Sequence, residues 1–148
     1  MPSTSKFEEQ QAQKAQQVPV SLELACSRLT ELWSPRVVGQ VNNQYIKVAR
    51  VQGEFPWHSH EHEDEMFLVL RGLLRIGRAE ADGGPISLQP GEFFVIPRGV
   101  RHNTAATEET WIALIETVTT LHTGAEQTPL TRSIADQLGS TAQDSSTQ

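Results

Sequence analysis

The sequence predicts an all-β domain, an antiparallel sandwich or barrel, and three observations carry that expectation. About eight short stretches with strand-like apolar patterning follow one another from Arg36 onward. Turns rich in Gly and Pro separate them, at Asp82-Gly83-Gly84-Pro85 and Gln89-Pro90-Gly91-Glu92 most clearly. No helical pattern lies between strands, as parallel crossovers would require. With 148 residues the chain is long enough for one domain with its own core. Its hydrophobic content of 37% is lean, and the ends account for part of that. Residues 1–17 are rich in Gln, with little large apolar content beyond Phe7, and residues 140–148 are almost wholly polar. Neither end can bury enough apolar surface to offset its ordering entropy, so both are expected as disordered tails around a domain over 18–139.

Within that domain, Leu22, Ala25, Cys26, Leu29 and Leu32 recur at helical spacing behind Ser21, a good N-cap. A short N-terminal helix over 21–32 is expected, ending before Pro35. Residues 36–41 and 44–51 read as a hairpin around Asn42-Asn43, with Gly53 breaking the run. Further strands are expected at 65–71, 73–79, 86–88, 93–96, 103–107 and 110–118. Tyr45 and Lys47 alternate on one strand beside Gln40 and Asn42, and a solvated strand face is the default reading for them. Met66-Phe67-Leu68-Val69-Leu70 is apolar on both faces. One face can line a barrel; the other needs cover from the N-terminal segment or a second copy, and a homodimer is expected.

A formal net charge of −6 and the lack of a basic run make nucleic acid an unsuitable partner. No apolar stretch is long enough for a transmembrane helix, and the N-terminus has no apolar signal core. The single cysteine, Cys26, sits in an apolar-patterned stretch and is expected as a small buried hydrophobe. A reducing cytoplasm fits these features.

Three of the five histidines fall in His58-Ser59-His60-Glu61-His62. On a strand, residues two apart share a face, so His58 and His60 can present neighbouring imidazoles to one metal ion. Glu65 has the wrong parity for an uninterrupted strand. It joins them if the charged residues 61–64 form a turn, which makes His62 an exposed turn residue. His102 follows Pro97-Arg98-Gly99, a turn feeding another strand, and barrel closure can bring it alongside.

These residues resemble the two motifs of the cupins. His58, His60, Glu65 and Gly72 fit His-x-His-x4-Glu-x6-Gly, and Gly91, Pro97, Gly99 and His102 fit Gly-x5-Pro-x-Gly-x2-His. Two positions depart: Gly53 lies one residue closer to His58 than the usual pattern, and Ala106 stands where an Asn is expected. Further likeness, from about Leu22 to Thr131, is to small bacterial cupins resembling mannose-6-phosphate isomerase. The resemblance implies a double-stranded β-helix, or jelly-roll barrel. It also implies one divalent metal ion per chain (Mn, Fe, Ni, Co, Zn or Cu) held by His58, His60, Glu65 and His102.

Three imidazoles and a carboxylate suit a divalent metal-dependent enzyme of isomerase or dioxygenase type acting on a small oxygenated molecule. The alternative is a non-catalytic small-molecule binding or sensor protein. Fold alone does not select between them.

Overall fold

A computed structural model describes residues 18–120 and 132–139. The expected tails, 1–17 and 140–148, lie outside the described residues. Helix α1 (Leu22–Ser27) is capped by Ser21, whose Oγ accepts the Leu24 amide at 3.1 Å. It is shorter than its apolar spacing suggests, because residues 29–33 are drawn onto the sheet. Leu32 bridges Arg50, the Trp33 amide donates to the Arg50 carbonyl at 2.9 Å, and the Arg50 guanidinium donates to the Leu29 carbonyl at 2.6 Å.

Strands β1 (Arg36–Val41) and β2 (Gln44–Glu54) form the expected hairpin, with Asn42 in the left-handed region at φ 51°. Gly53 does not end β2. The register shifts between Val51 and Gly53, and the strand continues until Glu54 pairs with Ala105. Next come β3 (Glu65–Arg71), β4 (Leu74–Arg78), a 3₁₀ turn (Glu80–Asp82), β5 (Ile86–Leu88) and β6 (Phe93–Ile96). The two last expected strands are one, β7 (His102–Thr117). Residues 107–109 are exposed, so their polarity mimics a loop, yet they stay extended while β7 passes from β4 to β2 and β3.

The seven strands pair antiparallel, in the order β1-β2-β7-β3-β6, with β4 joining β7 to β5. Alternation splits the side chains between two faces. Val51, Phe67, Val69, Ile112 and Leu114 fill the inner core. The outer face carries Val48 and Ala113, which α1 covers with the fully buried Cys26, while Leu68 and Leu70 pack against its rim. This is the mostly-β, antiparallel architecture that the motifs imply.

A second helix, α2 (Ile134–Gly139), was not expected from the apolar pattern. Its signal is a capping box: the Asp136 amide donates to Ser133 Oγ, and the Ser133 amide donates to Asp136 Oδ2. Ile134 and Leu138 pack against Val37 and Tyr45.

Candidate metal centre

After β2 the chain runs through residues 55–64 without forming a strand. His58 and His60 were expected on one. Instead, the ladder there is reduced to a single bridge, in which His58 and His102 exchange amide–carbonyl bonds of 2.9 Å in both directions. The rings of His58 and His60 still meet, with centroids 5.0 Å apart and planes at 85°. The His60 carbonyl accepts the Gly99 amide at 2.8 Å, and Asp64 Oδ1 accepts the Arg98 amide at 2.9 Å. Both bonds clamp the Pro97–Val100 turn against the first motif. That turn places Gly99 at φ +80°, where a Cβ is disfavoured. His102 then opens β7, and Glu65 opens β3 after bends at Glu61 and His62.

The four side chains expected as ligands therefore converge. One ligand atom from each of His58, His60, Glu65 and His102 lies within 4.8 Å of the others, and all four residues are buried. Nε2 of His60 and of His102 stand 3.5 and 3.4 Å from Glu65 Oε1. Nδ1 of His58 faces the Pro56 carbonyl at 2.9 Å, and Nδ1 of His102 faces the Val100 carbonyl at 2.9 Å. A carbonyl only accepts, so each Nδ1 carries the proton and each Nε2 keeps its lone pair for the centre. The three Nε2 atoms and both Glu65 oxygens have no hydrogen-bond partner despite burial. Buried polar atoms are rarely left so, and these fit a divalent cation in both chemistry and placement. His62 is exposed and turned away, as its place in the turn suggested.

The electrostatics of the cluster follow from burial and proximity. Burial, then the neighbouring His102, push His58 down to about 4. Burial alone would lower His60 also, but the close Glu65 carboxylate and its charge reverse that and raise it. Burial alone would raise Glu65; the surrounding Glu116, His102 and His60 outweigh it and hold Glu65 well below the usual carboxylate range. Glu65 is thus an anion ready to meet a cation.

Two buried residues beneath Glu65 went unrecognised as part of the site. Glu116 is directly opposite Glu65 on the β3–β7 ladder, and burial and then the Glu65 charge push its carboxyl well above the ordinary range. Lys47, read as part of a solvated strand face, is instead fully buried with its Nζ 2.7 Å from Glu116 Oε1. Tyr45 is buried too. Strand parity held the missing signal: Tyr45 and Lys47 share the face of Ala49 and Val51. A small cavity of about 30 Å³ adjoins His58 and Glu65 and is walled mainly by apolar groups.

A family profile described as a cupin domain matches residues 46–118. A crystal structure of a cupin-2 domain containing protein from Shewanella frigidimarina is 38% identical. It superposes with a TM-score of 0.64 over 71% of this chain and 97% of that one. The uncharacterized protein YdbB of Bacillus subtilis is 33% identical over 67 residues, 45% of this chain and 58% of YdbB. The match thus spans little more than half the length of that curated relative. Hydroquinone 1,2-dioxygenase from Sphingomonas sp. TTNP3 shares the fold, at 17% identity and a TM-score of 0.55 over 66% of this chain and 72% of that one. The chain belongs to the cupin superfamily.

Proposed function

We propose that His58, His60, Glu65 and His102 bind one divalent metal ion, and that the protein is a metal-dependent enzyme of isomerase or dioxygenase type acting on a small oxygenated molecule. The observation supporting this is the convergence of one ligand atom from each of the four residues within 4.8 Å, in a cluster whose three Nε2 atoms and two carboxylate oxygens are buried and unpartnered. A bound ion would supply Lewis acidity or redox capacity, and imidazole with carboxylate suits Mn, Fe, Ni, Co, Zn or Cu. The chain contributes the rest. The Pro56 and Val100 carbonyls orient two imidazoles, Glu65 supplies the negative charge, and the apolar walls around the cavity exclude water. Within the superfamily, the motif-flanking residues favour the small mannose-6-phosphate isomerase-like group.

Protein purified from media supplemented with each ion in turn tests this by metal analysis. One equivalent per chain is expected, with loss of that metal in His60→Ala. A native chain that retains no ion from any medium would overturn the proposal.

We further propose one domain over 18–139, a homodimer and a cytoplasmic location. A groove of about 420 Å³ on the outer sheet face supports pairing with a second copy. Ile46, Met66, Leu68 and Ile115 line it together with Val18 and Val20, so α1 covers only part of this apolar face. Sedimentation analysis gives the mass, and a monomer at micromolar concentration would exclude the dimer. Cys26 is a buried free thiol, as suits a reducing compartment.

A further inference from the structure

The cavity beside His58 and Glu65 has walls of nearly one chemistry. Val51, Phe67, Ile112 and Leu114 line it from paired strands, with Trp33 and Phe55 at irregular segments and Thr104 from β7. We propose that this site takes a small bidentate oxygen anion on an apolar carbon body, and that Trp33 sets the size of that body. The inference rests on the metal-binding reading above.

Two arguments define the ligand. At the inner end, three neutral imidazoles and one carboxylate around a divalent ion leave a net charge of about +1, which favours an anionic oxygen donor. Along the walls, a body with a hydroxyl on every carbon would leave most of its hydroxyls without partners, whereas methyl and methylene groups would gain from leaving water.

The argument for Trp33 is geometric. A cavity of about 30 Å³ holds little more than a water or two, so an organic ligand must displace part of the wall. The strands are held by their ladders. Trp33 lies in the connection between α1 and β1 and stacks on Phe55 with ring centroids 4.9 Å apart. Its backbone has φ 56°, a conformation that bulky side chains rarely adopt. Its indole N–H donates to the Gln52 carbonyl at 2.9 Å, at the edge of β2. Swinging the indole would break that bond and enlarge the cavity that Trp33 lines.

The test uses the full chain loaded with Zn²⁺, its metal content measured first, and calorimetric titration with ligands sharing one chelating head. 2-Hydroxyisovalerate and threonate both present an α-hydroxycarboxylate, on an apolar and a hydroxylated body respectively. The apolar ligand is expected to bind at least tenfold more tightly. 3-Phenyllactate, too large for the native wall, is expected to gain at least tenfold in Trp33→Ala, whose folding is checked by thermal melting. A chain that holds no metal overturns the function proposed above and this inference with it. A loaded chain that binds both small ligands equally overturns the ligand class alone. An unchanged size limit in folded Trp33→Ala, or in Trp33→Phe if the alanine variant does not fold, overturns the role of Trp33.

Discussion

Lys47 Nζ lies 2.7 Å from Glu116 Oε1, and both side chains are fully buried at the floor of the candidate metal centre. Glu116 in turn opposes Glu65 across β3 and β7. Burial and the Glu65 charge push Glu116 up while the surrounding groups hold Glu65 down, so the three side chains form one electrostatic unit within the apolar barrel. Such an arrangement adds little to stability as a whole, but its parts depend on one another. Among the described residues, Glu116→Leu leaves Lys47 with the Thr120 carbonyl, 3.5 Å away, and the Tyr45 ring, 5.9 Å away, and should cost about 3 kcal/mol. The double variant Lys47→Met, Glu116→Leu should recover most of that loss. Urea unfolding midpoints of the single and double variants check it; two additive losses would show that the pair is not coupled.

The roles of two histidines should separate cleanly. His102 is buried with Nε2 aimed at Glu65, whereas the His62 side chain is exposed. His102→Ala should weaken metal affinity by about a hundredfold or more, and His62→Ala should leave it unchanged. Competition against a chelating dye measures both. Equal loss in the two variants would place the ligand set elsewhere in the motif.

The metal-free protein should lose stability on acidification. His58 is held at about 4 against an ordinary 6.5, so between those values the unfolded chain binds more protons than the folded one. The contribution of His58 is therefore intact above pH 6.5 and is lost as pH falls toward 4, amounting to at most about 3 kcal/mol. His60, raised in the fold, acts with the opposite sign and offsets part of it. Melting temperatures of the apo-protein from pH 7 to pH 4 should fall, and His58→Gln should flatten the curve. A parallel curve in that variant would assign the effect to other groups.

Cys26 should be inert while the chain is folded. It is fully buried on the sheet-facing side of α1, its Sγ 3.8 Å from the Ala49 and Ile112 carbonyls, and burial pushes its thiol up to about 11. A thiol reagent at pH 8 should label it only in denaturant. Rapid labelling of the native protein would mean that α1 lifts readily from the sheet.

Much of this protein was legible in its residue order. Strand periodicity, the Asn42-Asn43 turn and the Gly and Pro punctuation located β1, β3, β5 and β6 at their observed limits. The two histidine motifs named the four residues that converge, because ligand type and spacing are local properties of a chain. Pairing was not local. Whether Gly53 ends a strand or bulges it, and whether residues 107–109 form a loop or the middle of β7, depends on which strands lie alongside. The same holds for Lys47 and Glu116, 69 positions apart by their numbering and adjacent only once β2 and β7 close the barrel. The sequence by itself determined the all-β class and the candidate ligands. Only the tertiary structure decided what sits behind them, since burial and ion pairing between distant strands arise from sheet closure and leave no periodic mark on the chain.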